Sequence, residues 1–337
     1  MKATIIDVPG KMRVGDWKAP EPGPDEVLVR VRAAGICAGD MYIYQGKNPY
    51  ADYPRIAGHE ISGIVEQVGR NVSGIASGSL VVVEPFVGCG KCYACRVGKP
   101  NCCASLRILG VNLPGGYAEF LTAPARNIHL VPNGLSPFWA SFAEPLAIGV
   151  QACRRGQVQS GEYVLIVGCG PIGLALIEVA KARGARPVVT DISDARLEFA
   201  RTLGAETLKA DENLLKNVLE QTNGEGAPVV VEATGNPKAM EQTVELVASG
   251  GRIVILGIVK RGTSISIPAL DITRKEVTLL GSRASVNCFP ESLELLASGK
   301  IQYPRVATQV SMWDAPAAFE RLANDPGAMH KGVLVID

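Results

Sequence analysis

The sequence predicts an α/β protein with two domains, a small β-barrel-like domain and a doubly wound parallel sheet. The length of 337 residues favours two domains, because a typical domain takes about 150 residues. Hydrophobic residues make up 47% of the chain and charged residues 20%, which is typical of globular proteins. The chain also changes from short β-type runs to a repeat of strand, Gly-rich turn and helix.

The first 150 residues favour the barrel-like domain, because runs of β-branched residues are bounded there by Gly and Pro. We expect strands within 1–9 and at 26–31, 61–68 and 80–83.

From about Gly161 the pattern indicates a parallel sheet covered on both faces, because apolar strands alternate with helices such as 174–183 and 194–203. The predicted strands are 163–167, 187–190, 228–231, 252–256 and 276–280. A helix at 290–298 and a strand at 332–336 are expected to return to the first domain. The predicted domains are therefore 1–150 with 286–337, and 151–285.

Charge and hydropathy exclude several classes of protein. Lys and Arg total 34 and Asp and Glu 33, so the chain lacks the basic excess of nucleic-acid or polybasic membrane binders. No apolar run approaches the roughly 18 to 20 residues that span a bilayer. The first residues do not resemble a signal peptide, and we expect a cytoplasmic protein without nucleic-acid or membrane partners.

The cysteines predict a metal site. Five of the nine lie between 89 and 103, and in a reducing compartment such clusters are more often metal ligands than disulfides. Cys89, Cys92, Cys95 and Cys103 have the spacing of a closed, structural zinc site. Cys102 competes with Cys103 as the fourth ligand, and an iron–sulfur cluster or free thiols are the alternatives.

A Gly-rich turn between a strand and a helix predicts a dinucleotide site. The strand at 164–167 leads into a G-x-G-x-x-G sequence, whose helix N-terminus offers free N–H groups to phosphates. The residues assigned to this turn are Gly168, Gly170, Pro171, Ile172 and Gly173.

An acidic residue favours NAD over NADP. Asp191 ends the next strand, and a carboxylate there accepts hydrogen bonds from a ribose hydroxyl and repels a 2′-phosphate. Arg196 lies nearby and weakens this preference. Further cofactor contacts are predicted at Thr234, Gly257 and Ser282.

A dispersed set of polar residues completes a resemblance over essentially the whole chain. The chain resembles the zinc-dependent medium-chain dehydrogenase/reductase superfamily, most closely its sorbitol, threonine and sugar-acid dehydrogenase branch. Besides the two motifs above, the resemblance is carried by Gly35-Ile36-Cys37, the run at 53–60 that ends in Gly58-His59-Glu60, and Glu144-Pro145.

The resemblance implies a GroES-like β-barrel catalytic domain and a Rossmann domain, with two zinc ions per chain. It implies a catalytic zinc held by Cys37, His59 and Glu60, with Glu144 in the fourth position or behind a bound water. Asp40 matches the position that orients the imidazole of His59, although it could instead cap a turn. Relatives are dimers or tetramers, so we expect a homodimer or homotetramer.

Two positions depart from the family pattern. Many relatives carry Ser or Thr two residues after the first Cys, and His five residues after it, as a proton relay. Here these positions are Gly39 and Tyr42. The usual relay cannot form, so the proton must leave by Glu60, Glu144, Tyr42 or a water.

The substrate class follows from candidate hydrogen-bonding groups. A polyol or sugar acid needs several of them, and Tyr42, Asn112 and Arg283 are our candidates. In the sorbitol dehydrogenase branch an Arg near position 283 contacts substrate, and it could pair with an aldonate carboxylate. A surface or interdomain salt bridge is its other interpretation.

We therefore expect a zinc- and NAD-dependent enzyme that oxidises a secondary hydroxyl of a polyol or sugar acid, such as a gluconate or galactonate type. The alternatives are a threonine 3-dehydrogenase or secondary-alcohol dehydrogenase and, from another class, a non-catalytic NAD-binding regulatory protein.

Overall fold

The computed structural model describes residues 1–325 and 327–336. The chain forms two compact units. The first unit contains residues 1–144, 289–299 and 304–337, and the second contains residues 145–288 and 300–303. The sequence placed these divisions after 150 and before 286. Positions 326 and 337 of the predicted first domain lie outside the described residues.

The strands and helices of both units are named here in chain order. The strands are β1 (Lys2–Val8), β2 (Lys11–Asp16), β3 (Glu26–Gly35), β4 (Glu60–Val68), β5 (Leu80–Val83), β6 (Phe86–Val87), β7 (Arg107–Ile108), β8 (Phe120–Pro124), β9 (Ile128–Leu130), β10 (Tyr163–Val167), β11 (Arg186–Asp191), β12 (Glu206–Lys209), β13 (Ala227–Glu232), β14 (Val247–Ile255), β15 (Thr278–Gly281), β16 (Thr308–Ser311) and β17 (Gly332–Val335). The helices are α1 (Ala38–Tyr44), α2 (Tyr93–Arg96), α3 (Pro137–Ala140), α4 (Ala143–Arg155), α5 (Pro171–Ala182), α6 (Asp194–Thr202), α7 (Leu214–Gln221), α8 (Pro237–Leu246), α9 (Ala269–Lys275), α10 (Phe289–Ala297) and α11 (Ala315–Asn324).

The first unit is built on a seven-stranded sheet in the order β16-β17-β3-β4-β5-β9, with β8 also paired to β3. Strand β17 runs antiparallel to β3, with Leu334 opposite Ala34. The core of the first unit includes Tyr117 and Phe319, whose rings meet edge to face with centroids 5.8 Å apart. The last strand of the chain therefore lies beside the strand that leads to Cys37.

The second unit is a six-stranded parallel sheet in the order β12-β11-β10-β13-β14-β15. This is the order of a doubly wound Rossmann sheet, which confirms the predicted fold class. Every residue of β10 is buried, as expected for a central strand covered on both faces. The carboxyl ends of β10 and β13 meet where the strand order reverses, which is where such sheets bind ligands.

The structure differs from the sequence prediction at several element ends. Helix α5 begins at Pro171 rather than 174, because Gly170 is its N-cap and Pro suits the first helical position. Strand β15 begins at Thr278 rather than 276, because Glu276 has a φ of 46° and ends α9 in the left-handed conformation.

Strand β12 was not predicted. It is a four-residue edge strand, and its residues are only partly buried, so it carries no continuous apolar run. Within the described residues, no helix has the length and apolar character needed to cross a membrane.

Candidate metal and nucleotide sites

Three predicted ligands meet in the first unit. Cys37 is the N-cap of α1, and His59 and Glu60 lie at the start of β4. The ligand atoms of these three residues all lie within 4.8 Å of one another. A thiolate, an imidazole and a carboxylate are donors that Zn²⁺ accepts, so this set fits a zinc ion with an open fourth position. We call these three residues the mixed-ligand cluster.

Asp40 supports two members of the mixed-ligand cluster. Its Oδ2 accepts a hydrogen bond from the Cys37 backbone N–H at 2.9 Å, which caps α1. Its Oδ1 lies 3.3 Å from Nδ1 of His59, although this contact lacks regular hydrogen-bond geometry. The structure thus combines both interpretations of Asp40, the turn cap and the partner of His59.

Burial and neighbouring charges shift the pKa values of Asp40 and His59 in opposite directions. Burial raises the pKa of Asp40, but His59 and hydrogen bonds from Cys37 and Tyr117 outweigh it, and the pKa is lowered. Burial lowers the pKa of His59, but the charges of Asp40 and Cys37 outweigh it and raise the pKa well above its usual value. The surroundings of the His59 imidazole therefore favour a positive charge. A bound metal ion would supply that charge in place of a proton.

Glu60 has a partner that the sequence analysis missed. The side chain of Lys331 is 1% exposed, and its Nζ donates to both carboxylate oxygens of Glu60, at 2.6 Å to Oε1, and to the Ile36 carbonyl at 3.1 Å. Gly35 makes room for this carboxylate, because a Cβ there would overlap it. A lysine before a short apolar strand was the available signal, but nothing in the sequence links it to Glu60.

Glu144 lies outside the set of mutually close ligand atoms but belongs to the same electrostatic environment. It is 4% exposed, at the start of α4. Burial raises its pKa to about 7, while His59 and Lys331 lower it and Glu60 and Asp40 raise it. The structure therefore places two buried carboxylates, Glu60 and Glu144, close enough to His59 to interact with its charge.

The cysteine lobe forms a second ligand set in the same unit. The Sγ of Cys92 lies 3.5 Å from that of Cys95 and 3.8 Å from that of Cys103. A tetrahedron with Zn–S bonds of about 2.3 Å has edges of about 3.8 Å, so these separations fit a zinc ion. The four sulfurs that lie within 4.8 Å of one another are those of Cys89, Cys92, Cys95 and Cys103.

The alternative fourth ligand, Cys102, is outside this set and is exposed. By contrast, Cys103 is buried, and its sulfur accepts hydrogen bonds from the backbone N–H groups of Cys89 and Ser105, both at 3.3 Å. These two hydrogen bonds fix the position of the Cys103 sulfur within the ligand set.

The Gly-rich turn of the second unit leaves space for a ligand. Gly168 has a φ of 108°, and a Cβ there would lie 2.7 Å from the Thr234 side chain. A Cβ on Gly173 would overlap the Gly168 carbonyl, whereas a Cβ on Gly170 would meet nothing within 4 Å. The open side of Gly170 fits the close approach of a pyrophosphate to the N-terminus of α5, where Pro171 and Ile172 are half-buried.

Asp191 is held against this turn. Its carboxylate accepts hydrogen bonds from the Cys169 and Ser193 backbone N–H groups, each at 2.9 Å. Arg196 Nη1 lies 3.6 Å from the same carboxylate. The arginine therefore neutralises part of the charge of Asp191.

Three further predicted cofactor residues follow successive strands. Thr234, Gly257 and Ser282 come within two residues of the ends of β13, β14 and β15, at the edge of the sheet where the Gly-rich turn lies. A Cβ on Gly257 would lie 2.5 Å from Oε2 of Glu232 and would overlap the Gly235 backbone. Gly257 is thus required by the packing of the loops themselves, a constraint that the sequence did not reveal.

The predicted substrate residues have different surroundings. Asn112 uses both ends of its amide within the protein, because Oδ1 accepts from the Ile108 N–H at 3.0 Å and Nδ2 donates to the Tyr50 carbonyl at 3.3 Å. Tyr42 is 56% exposed on α1. Arg283 is an exposed residue of the second unit, just after β15.

The position of the missing relay hydroxyl faces the mixed-ligand cluster. A Cβ on Gly39 would lie 3.7 Å from Cε1 of His59 and 3.8 Å from Sγ of Cys37, which is ordinary contact. A small side chain would fit at this position, so its absence leaves room beside both ligands.

Comparison with known proteins identifies the family of this chain. Residues 23–133 match the alcohol dehydrogenase GroES-like domain, and residues 171–298 match the zinc-binding dehydrogenase domain. The chain is 38% identical to L-galactonate-5-dehydrogenase of Escherichia coli K12 over 304 residues, 89% of this chain and 88% of that protein. The chain belongs to the zinc-dependent medium-chain dehydrogenase/reductase superfamily.

Other members of this superfamily show the same relationship. L-Threonine 3-dehydrogenase of Pyrococcus abyssi is 40% identical over 298 residues, 86% of this chain and 85% of that protein. The RspB alcohol dehydrogenase of E. coli CFT073, solved with NADH, superimposes with a TM-score of 0.92 at 31% identity, covering 100% of this chain and 99% of that one. The chain is therefore a zinc-type alcohol dehydrogenase that uses a nicotinamide dinucleotide.

Proposed function

We propose that this dehydrogenase oxidises a secondary hydroxyl of a polyol or sugar acid to the ketone, with NAD⁺ as acceptor. The observation that carries the proposal is the mixed-ligand cluster, Cys37, His59 and Glu60, with the second buried carboxylate of Glu144 nearby. The similarity to L-galactonate-5-dehydrogenase supports an aldonate of the gluconate or galactonate type as substrate.

The residues of this chain would hold the two cofactors in defined ways. Cys37, His59 and Glu60 would hold zinc, with Glu144 as fourth ligand or behind a water, and Cys89, Cys92, Cys95 and Cys103 would hold a second, structural zinc. When bound, the first zinc supplies a Lewis acid that lowers the pKa of a coordinated hydroxyl, and NAD⁺ accepts the hydride.

Two residues beside the mixed-ligand cluster support its members. Asp40 orients the imidazole of His59, and Lys331 holds the carboxylate of Glu60. Gly39 leaves space next to His59 and Cys37 that a polyhydroxylated substrate could use. Because Gly39 offers no hydroxyl, the substrate proton leaves by Glu60, Glu144, Tyr42 or a water. Tyr42 and Arg283 stay our candidates for substrate contacts, whereas the amide contacts of Asn112 support a role in shaping its loop.

NAD is the preferred cofactor in this proposal. Asp191 is the last residue of β11, and its carboxylate lies against the Gly-rich turn, where it would accept a hydrogen bond from a ribose hydroxyl and oppose a 2′-phosphate. Arg196 lies close to Asp191, which supports its role as a partner of that carboxylate.

Two other functions are alternatives to the oxidation of a polyol or sugar acid. Similarity to L-threonine 3-dehydrogenase favours a threonine or secondary-alcohol dehydrogenase. The missing hydroxyl at Gly39 favours a dinucleotide-binding protein without turnover. The mixed-ligand cluster argues against the protein without turnover, since three ligands that leave one position open serve catalysis rather than structure.

A substrate panel separates these functions. NADH formation by the zinc-loaded protein is measured on aldonates, polyols, L-threonine and short secondary alcohols. We expect the largest kcat/KM on an aldonate or polyol. A larger value on L-threonine or a simple alcohol would establish the second function, and no turnover on any of them would establish the third.

We also infer a homodimer or homotetramer in the cytoplasm. The edge strand β15 is partly exposed, with Leu279 45% exposed, and so offers free backbone groups to a second copy. None of the nine cysteines forms a disulfide within the described residues, which suits a reducing compartment. Sedimentation velocity at micromolar concentration tests the assembly, and a monomer would contradict it.

A further inference from the structure

A buried carboxylate lies where the nucleotide-binding loops of the second unit meet. Glu232 is the last residue of β13 and is 0% exposed. Strand β13 pairs with β10, at the point where the strand order of the sheet reverses. In a doubly wound sheet the dinucleotide lies across this point, so that the strands on each side serve one of its two halves.

One oxygen of Glu232 fixes the loop that follows β13. Oε1 accepts hydrogen bonds from the backbone N–H of Thr234 at 2.7 Å and that of Gly235 at 3.0 Å, and also from the Thr234 hydroxyl. Hydrogen bonds to an ionised acceptor are stronger than those between neutral groups. The turn at Thr234 and Gly235 is therefore held by a single charged atom.

The neighbouring loops pack onto the same residue. After β14, the backbone N–H groups of Leu256 and Gly257 donate to the Glu232 carbonyl at 2.9 and 3.1 Å. After β10, a Cβ on Gly168 would lie 2.7 Å from the Thr234 side chain. Three loops at the carboxyl edge of the sheet thus depend on the position of Glu232 and of the turn that it holds.

The other carboxylate oxygen of Glu232, Oε2, lowers the stability of the fold. Oε2 is buried and has no hydrogen-bond partner among the described residues. A buried polar atom without a partner destabilises the fold, and an apolar side chain of similar size would avoid that cost. Such an atom in a native protein calls for an explanation, and a functional role of the residue is one of them.

We infer that Glu232 is the positioning residue for the nicotinamide half of the dinucleotide site. Through Oε1 it holds Thr234 and Gly235, and through its packing it sets the position of Gly257. The adenosine half depends instead on β10 and β11, where Asp191 is held by Cys169 and Ser193. The inference rests on dinucleotide binding and is independent of the substrate proposed above.

Glu178 provides a matched control in the same unit. It is 3% exposed on α5, its Oε1 has no hydrogen-bond partner within the described chain, and its Oε2 accepts from the Gln302 N–H at 2.6 Å. It is thus a second buried carboxylate with one bonded and one unpartnered oxygen. Its hydrogen bond holds the segment 300–303 and contacts none of the three loops.

Binding of NADH and of 5′-AMP by the zinc-loaded protein tests the inference without turnover. We expect Glu232→Ala to raise the Kd of NADH about tenfold or more, since it removes several charge-assisted hydrogen bonds. The Kd of 5′-AMP, which occupies only the adenosine half, should change by less than about twofold. Glu232→Gln keeps an acceptor oxygen and should fall between wild type and Glu232→Ala, and Glu178→Gln should leave both constants unchanged.

Several results would overturn the inference. Equal weakening of both ligands by the Glu232 variants would mean general damage to the fold, and unchanged NADH binding would mean that the carboxylate positions nothing. An equal effect of Glu178→Gln on NADH would mean that any buried carboxylate of this unit matters. If Glu232→Ala does not fold, a selective loss of NADH affinity in Glu232→Gln decides the question.

Discussion

The two ligand sets of the first unit differ in how the chain assembles them. The cysteine lobe draws its four ligands from positions 89 to 103, and the sulfurs of Cys92, Cys95 and Cys103 have sulfur or backbone neighbours within the same lobe. The mixed-ligand cluster takes Cys37 from a helix N-cap and His59 and Glu60 from a strand, and it is balanced by Lys331. A site made from one segment stabilises that segment, whereas a site made from several elements is held in place by the fold.

The difference also appears in charge. The cysteine lobe offers only cysteine ligands, which bind a metal ion as thiolates, so the ion itself neutralises their negative charge. The mixed-ligand cluster has an internal counterion, since Lys331 pairs with Glu60. The first arrangement suits a permanent structural ion and the second suits a site where one ligand can change partners.

The largest expected effect comes from Cys37→Ser. Replacing the thiolate removes a zinc ligand of the mixed-ligand cluster, so turnover should fall by about a thousandfold or more, while the Kd of NADH stays within about twofold. Steady-state kinetics and NADH titration measure the two quantities. Equal loss of both would show that Cys37 has only a structural role.

Lys331→Met tests the role of Lys331 as the counterion of Glu60. Removing one partner of a buried ion pair leaves the other charge uncompensated, so we expect the free energy of unfolding of the metal-free protein to fall by about 3 to 5 kcal/mol. Urea unfolding measures it. The double variant Lys331→Met with Glu60→Gln should recover most of the loss, and a failure to recover would show that the pairing of Lys331 with Glu60 is not the cause.

Cys95→Ser tests whether the cysteine lobe, unlike the mixed-ligand cluster, serves stability rather than catalysis. Loss of one thiolate should reduce the zinc content by about one ion per chain and lower Tm by about 5 °C, while substrate preference stays unchanged. The matched control is Cys102→Ser, since Cys102 lies outside the ligand set and should leave zinc content and Tm unchanged. A change of substrate preference in Cys95→Ser with unchanged Tm would contradict the structural role.

Asp40→Asn gives the smallest expected effect of these variants. The amide keeps an acceptor for the Cys37 N–H but removes the charge beside His59, so zinc affinity or turnover should fall by about 10- to 100-fold. Zinc titration of the apoprotein measures the affinity. Unchanged affinity and turnover would reduce Asp40 to a helix cap.

The parts of the fold and of the site that could be predicted are those with local signals. Gly168 and Gly173 are constrained by the turn in which they lie, and Gly170 keeps its surface open, so their spacing alone indicated a strand, a turn and a helix. The spacing of the lobe cysteines was similarly informative. Strand β12 was missed because its edge position leaves it without an apolar run.

Long-range contacts could not be predicted in this way. Lys331 lies 271 positions after Glu60, and only the pairing of β17 with β3 brings them together. Glu232 ends a strand like many other acidic residues, and its importance depends on loops that follow different strands. The hydrogen bond from the Asn112 amide to the Tyr50 carbonyl also joins positions 62 residues apart, which the sequence pattern does not link.

The pairing of Glu60 with Lys331 has a consequence for the order of events during synthesis. A ribosome adds Lys331 271 residues after Glu60, so the nascent barrel carries an acidic group in its interior without its ammonium partner for most of translation. The N-terminal segment alone should therefore be a poor autonomous folding unit until β17 docks. A nonsense mutation shortly before codon 331 would spare nearly every helix and strand and still deprive the metal pocket of its counterion.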